Sequence, residues 1–155
     1  MNQQLPVFQD FLYAHIPLVK SMQMELSAIS EQFLLAQAPL APNINDKKTV
    51  FGGSSAALMT VCGWSLIKFQ LEQRGVFNDV VIYQANTQWK QAQTDDLIIK
   101  VQTQKPIDWQ QICHNLITDK KKLKIDMACQ VLNQNNEICC SMLGNYVVLC
   151  PQRSE

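Results

Sequence analysis

Charge is scarce in this sequence. Charged residues make up 17% of it against 47% hydrophobic, and its 13 basic and 13 acidic side chains cancel. A chain without net charge has no overall field to gather nucleic acid, so that class of partner is excluded. Charge this sparse also predicts that part of the surface is covered by another subunit. Glycine occurs 5 times and proline 6 times. With no repeat or low-complexity segment either, fibrous and disordered classes do not fit.

Histidine is nearly absent: His15 and His114 are the pair, on segments that read as apolar helix faces. The six cysteines (Cys62, Cys113, Cys129, Cys139, Cys140, Cys150) contain no CxxC pair and no histidine at zinc spacing, so no metal site is expected. They read as small buried apolar groups in a reducing compartment. The first four residues, Met-Asn-Gln-Gln, lack a basic start and a small-residue cleavage site, which makes the cytoplasm the expected location. Residues 50–67 are uncharged over about the length of a bilayer span. Glycine, serine and threonine at 52–55, 60, 63 and 65 break the run, so it reads as a buried helix and no membrane is expected.

What is present is a strong alternation of periods. The 155 residues have room for one core, and one domain is expected over 1–155. Residues 7–16 repeat apolar side chains at helical spacing and stop at Pro17. Met22, Met24, Leu26 and Ala28 then alternate with Gln23, Glu25 and Ser27, as a half-buried strand does. Phe33–Ala38 is a second strand, halted by Pro39 and Pro42. Residues 54–73 form a long helix, apolar nearly all round, which must be wrapped by other elements. Gly63 in its middle costs about 1 kcal/mol against alanine, so a neighbour is expected to approach closely there. Val80–Trp89 and Leu97–Thr103 are strands, Asp108 caps a short helix, and two further strands lie at 123–131 and 138–149. Short turns between strands imply an antiparallel sheet, so the class is α+β.

The segment that can carry chemistry runs Asn45-Asp46-Lys47-Lys48-Thr49-Val50-Phe51-Gly52-Gly53-Ser54. Two glycines at the mouth of a buried helix let a ligand touch backbone without a Cβ in between. Free N–H groups in the first helical turn, with the positive end of the dipole, suit a developing oxyanion. Ser54 and Ser55 have no nearby histidine to activate them and read as helix caps.

This stretch resembles hotdog-fold thioesterases, where a pattern like Asn-x-x-Gly-x-x-His-Gly-Gly precedes a central helix. It is most similar to the thioesterase domain at the C-terminus of YiiD-type acetyltransferases, in which Phe-Gly-Gly-Ser replaces His-Gly-Gly. The resemblance implies a hotdog fold: a long helix held by a curved antiparallel sheet. It implies a homodimer, or a dimer of dimers, with the site at the subunit interface. The implied reaction is hydrolysis of an acyl-CoA or acyl-carrier-protein thioester, with CoA entering only as part of the substrate and no cofactor.

Carried over by position, Gly52 or Gly53 supplies the oxyanion N–H, and Phe51 and Ser54 flank the substrate. Asn45 is either a site residue or a turn residue fixing its own loop. Thr60 stands where the family often has an acid, and either holds water or bonds a helix carbonyl. Asp46 is the replacement carboxylate in the catalytic reading and a solvated turn residue otherwise. The run at 120–124 offers Lys120 and Lys122 either as phosphate ligands for CoA or as a solvated strand end. Neither histidine sits at the loop or helix head, which disfavours dehydration chemistry. The alternative is an acyl-thioester binding module with weak or lost catalysis, kept open by the missing helix acid.

Overall fold

The computed structural model describes residues 3–150; Met1 and Asn2, on which the expectation about the N-terminus rests, lie outside it. Six strands form one antiparallel sheet. They are β1 (Glu25–Ile29), β2 (Phe33–Ala38), β3 (Val80–Trp89), β4 (Leu97–Thr103), β5 (Leu123–Leu132) and β6 (Ile138–Val148). Their order across the sheet is β1-β2-β4-β5-β6-β3, so β1 and β3 are the edges. Four helices accompany them: α1 (Gln4–His15), α2 (Pro17–Ser21), α3 (Gly52–Glu72) and α4 (Trp109–Asp119). A curved antiparallel sheet holding α3 is the hotdog arrangement expected from the sequence.

The enclosure of α3 follows from its composition. Leu58, Met59, Cys62, Leu66, Ile67 and Leu71 have no solvent exposure at all. Even Lys68 is buried, donating to the Asn78 carbonyl at 2.8 Å with Glu72 at 3.7 Å. Gly63 shows why the helix tolerates a glycine. A Cβ there would run into the phenol of Tyr146 on β6, whose hydroxyl donates to the Thr60 carbonyl at 2.7 Å. Burial holds the Tyr146 hydroxyl well above its usual range, so it stays a neutral donor. No helix among the described residues is long and apolar enough to cross a membrane.

Four local expectations need correction. Pro17 does not only end α1; it starts α2, because its fixed φ and missing N–H suit a first helical position. Met22 then caps α2 and Gln23 turns through a left-handed φ of 55°, so β1 begins at Glu25 and not at Met22. The central helix starts at Gly52, two residues before the expected Ser54. His15 and His114 are exposed and are not packed in the core; His15 stacks on Phe11 at 4.3 Å. By contrast Asp108 does cap α4, accepting from the Gln111 amide at 3.1 Å.

The Gly63–Tyr146 contact gives a stability test. Overpacking costs about 1–3 kcal/mol, which outweighs the helix propensity gained, about 1 kcal/mol. Gly63→Ala is therefore expected to lower the denaturation midpoint. In a Tyr146→Phe background, which removes the atom met first, the same change should cost less than in wild type, so the double variant should lose less than the sum of the two singles. Strict additivity in urea denaturation would show that the contact does not explain the glycine.

Candidate active site

The site is built at the head of α3. Phe51 is the N-cap, extended at φ −66° and ψ 127°, with no side-chain cap. Its carbonyl accepts from the Ser54 amide at 2.9 Å and the Ser55 amide at 3.2 Å. Gly52 and Gly53 are the first two helical residues, and among the described residues nothing accepts from their amides. These are orphan donors at the positive end of a 21-residue helix. Ser54 is thus a third helical residue and neither serine caps the helix, contrary to the sequence expectation.

Two aromatic rings crowd both glycines. The Trp89 indole at the end of β3 donates to the Gly52 carbonyl at 3.0 Å. A Cβ on Gly52 would come within 2.9 Å of that same nitrogen. The ring of Phe51 folds over Gly53, where a Cβ would strike it. Both rings are more than half exposed, so they border the amides without sealing them.

The preceding loop is a tight turn closed by an Ile44–Val50 bridge. Asn45 is fully engaged inside it: Oδ1 accepts from the Lys47 amide at 2.9 Å and the Thr49 amide at 3.0 Å. Its Nδ2 donates to the Thr49 hydroxyl at 2.8 Å. Asp46 stands at the tip of this turn with its side chain 85% exposed and Lys47 at 4.0 Å. Lys48 next to it is left-handed, at φ 63°.

Asn43 is the residue that sequence reasoning missed. It is 1% exposed and joins three segments. Its Nδ2 donates to the Met22 carbonyl at 3.0 Å and the Pro39 carbonyl at 2.8 Å, while its own carbonyl accepts from the Phe51 amide at 2.8 Å. It therefore fixes the end of α2 to the start of α3. Its signal in sequence was only a second asparagine two places before Asn45.

Thr60 lies seven residues beyond Gly53, so it sits about 10 Å further along the helix axis. Its hydroxyl donates to the Ala56 carbonyl at 2.8 Å. Lys120 and Lys122 are exposed and lie beside the start of β5, where Leu123 pairs with Val148 and Val148 with Val80. Gly52 lies instead against Trp89, at the other end of β3. The strand is ten residues long, so its ends lie about 30 Å apart at the usual strand rise. Within one chain the structure brings Phe51, Gly52, Gly53 and Ser54 together, with Asn45 and Asp46 on the adjoining turn. It does not bring the lysines to them. Cys140, which pairs with Trp89, is no rival nucleophile, because burial pushes its thiol up to about 11.

With this geometry established, residues 5–150 match a protein family described as "Putative thioesterase (yiiD_Cterm)". The chain belongs to that family. Among solved structures it is similar to the "putative thioesterase from Shewanella oneidensis" at 26% identity, covering 96% of this chain and 99% of that one with a TM-score of 0.84. A protein of unknown function from Chlorobaculum tepidum shares the fold at 20% identity and a TM-score of 0.84, covering 97% and 96%. A thioesterase from Haemophilus influenzae shares it at 16% identity and a TM-score of 0.72, covering 93% and 90%.

In this thioesterase-family chain a groove of about 270 Å³ opens beside the glycine amides. Leu18, Met22, Pro42, Phe51 and Ala57 supply its apolar walls, and Gly53 itself forms part of the lining. Asn43 ties the two walls together. Asn43→Ala leaves the Met22 and Pro39 carbonyls without a donor, at about 1–3 kcal/mol each. A loss of roughly 2–6 kcal/mol in urea denaturation is expected, and a loss under about 0.5 kcal/mol would remove Asn43 from this role.

Proposed function

We propose that the chain hydrolyses acyl thioesters of CoA or of an acyl-carrier protein at the head of α3, working as a homodimer. The observation that carries this reading is the pair of unengaged amides at Gly52 and Gly53, beside an open groove. A thioester carbonyl placed there has its oxygen facing two fixed donors. As water attacks, the oxygen gains negative charge, which those donors stabilise more in the transition state than in the substrate. The carbonyl–sulfur bond then breaks, releasing a carboxylic acid and the thiol. Asp46, the only acid within residues 43–60, takes the proton of the attacking water in this reading.

The edge of the sheet supports the dimer. β3 is an edge strand of ten residues with neither charge nor proline, and Val81, Tyr83 and Trp89 are exposed on it. Such an edge is a template for pairing unless covered. Asp79 precedes it and Lys90 follows it, so antiparallel self-pairing sets opposite charges against each other at both ends. The same pairing sets the start of the partner's β3 beside this protomer's Trp89. The end of the sheet that carries the partner's Lys120 and the partner's Lys122 then approaches Gly52, where they can meet the phosphates of CoA.

A second reading is favoured by a specific observation. The Asp46 side chain points into solvent and the Thr60 hydroxyl is spent on Ala56, so neither candidate base faces the amides among the described residues of one protomer. Such a site could bind acyl thioesters and hydrolyse them weakly.

Thiol release from a panel of acyl-CoAs separates the two. Gly53→Pro removes one donor in the first helical turn, where the N–H has no intrahelical partner, and Gly53→Ala meets the same Phe51 ring but keeps the N–H. The proline variant is expected to lose about 10²–10³-fold in kcat relative to the alanine variant. Asp46→Asn should lose about 10²-fold. Wild type that binds a non-hydrolysable analogue yet releases no thiol from any acyl-CoA establishes the binding module instead.

The dimer has its own test. Gln84→Lys with Asn86→Lys puts like charges across the β3 edge and should give monomers by light scattering. Lys120→Ala with Lys122→Ala should raise KM for acyl-CoA while kcat holds, the mark of lost uniform binding. An equal KM for acyl-CoA and a phosphate-free pantetheine thioester in wild type would falsify the phosphate role.

A further inference from the structure

We infer that Trp89 is a positioning residue of the oxyanion site: its indole N–H, bonded to the Gly52 carbonyl, strengthens the Gly53 amide as a donor. This rests on the thioester reading of the head of α3 and adds to it a group that touches no substrate atom.

The link runs through one peptide bond. The Gly52 carbonyl and the Gly53 N–H are the two ends of a single planar unit, joined by resonance across the C–N bond. The Trp89 indole donates to that carbonyl at 3.0 Å. A donor on the oxygen draws electron density away from the nitrogen, so the N–H becomes more positive and donates more strongly in its turn. Among the described residues nothing accepts from the Gly53 amide, so the gain is available to an oxyanion.

The indole bond is surplus to what the helix needs. α3 begins at Gly52, and an α-helix leaves its first amides and its last carbonyls without partners. A carbonyl at the start of a helix already accepts from the amide four residues on. Trp89 therefore fills no orphan acceptor and instead puts a second donor on one oxygen. Its ring is more than half exposed, so water was open to the same N–H. What the bond changes is the peptide on which it lands.

The other free amide is backed in the same way by the main chain. Gly52 N–H shares its peptide unit with the Phe51 carbonyl, which accepts from the Ser54 and Ser55 amides at 2.9 and 3.2 Å. Only the Gly53 donor depends on a side chain. Tryptophan suits that place because an indole N–H donates and accepts nothing. A glutamine, histidine or serine could turn an acceptor towards the free amides and occupy them. The ring is also carried by a strand: Trp89 pairs with Cys140 on β6, and the next amide, Lys90, donates to the Cys139 carbonyl at 2.8 Å.

The size of the effect follows from two magnitudes. One oxyanion donor is worth about 10²–10³-fold in kcat, and a neighbouring hydrogen bond strengthens another by about 10–30%. On a logarithmic scale the indole is then worth about 2- to 8-fold.

The experiment measures thiol release from acyl-CoA for Trp89→Phe made in wild type, in Gly53→Ala and in Gly53→Pro. Phenylalanine keeps a ring but has no N–H. Wherever the Gly53 N–H is present, in wild type and in Gly53→Ala, the change is expected to lower kcat about 2- to 8-fold while KM holds. In Gly53→Pro, which lacks that N–H, it should cost nothing further. An indole that merely props the loop would cost the same in all three backgrounds, and that result overturns the inference. Unchanged kcat in the wild-type background, or a rise in KM alone, overturns it as well.

Should wild type release no thiol from any acyl-CoA, the hydrolase reading fails while the polarised peptide remains testable by NMR. Losing a hydrogen bond at a carbonyl oxygen moves the amide nitrogen of the same peptide unit upfield. Trp89→Phe should therefore shift the Gly53 nitrogen resonance and leave that of Gly52 nearly in place. Equal shifts at the two glycines, as a displaced ring alone would cause, reject the inference, and so does no shift at either.

Discussion

A helix that is apolar on every side cannot lie on a surface, and the enclosure of α3 is the constraint on which the rest of this protein depends. A two-layer packing would leave one flank of the helix wet. The sheet therefore curves around it, and α1 closes what the sheet leaves, through Phe8 against Phe69 at 5.5 Å and Phe11 parallel to Trp64. Close wrapping then dictates details inside the helix. Tyr146 approaches where a side chain would block it, so the residue there is Gly63. The ammonium of the buried Lys68 is met by the Asn78 carbonyl and by Glu72.

The same enclosure makes the helix head the natural place for a site. A buried helix must surface somewhere, and its first amides have no intrahelical partners wherever that occurs. Here the start is pinned from two directions, by Trp89 on the Gly52 carbonyl and by Asn43 on the Phe51 amide. Neither clamp uses the Gly52 or Gly53 N–H. Fixing the backbone while leaving the donors free is what oxyanion stabilisation requires, because the dipoles then need no reorganisation during the reaction. A helix start capped by its own serine would have spent one of those donors.

How much of this was legible in the sequence depends on the range of the interaction concerned. β2, β3 and β4 were readable to the residue, since period-two alternation bounded by proline, glycine and polar turns is a local signal. Pro17 misled because proline stops one helix and starts another equally well, and only tertiary packing shows that both occur. Ser54 misled in a similar way: the sequence offered a good capping residue, but the chain caps with Phe51 because Asn43 holds its amide. Asn43 and Asn45 look alike in the string Pro-Asn-Ile-Asn. One is a local turn residue and the other joins three segments, and the difference lies in partners at Met22 and Phe51 that no spacing rule encodes. The lysines at 120 and 122 were legible as a basic cluster, yet their distance from Gly52 is set by the strand order, which crosses from β4 through β5 and β6 to β3.

The balance between oxyanion and base decides what kind of catalyst such a site can be. Two fixed donors are worth about 10²–10³-fold apiece at most, and a well-placed base about 10²–10⁴-fold. Thr60 cannot supply the second contribution. Its hydroxyl is about 10 Å from the amides along the helix axis and donates to the Ala56 carbonyl at 2.8 Å. The Met142 sulfur on the sheet is a second, longer acceptor for that hydroxyl, at 3.8 Å. In the hydrolase reading, water activation at the head of α3 has to come from a group outside the helix: from the Asp46 turn or, in the proposed dimer, from the second subunit. The first source makes hydrolysis depend on how the loop closes over the amides, and the second on how the proposed partner does.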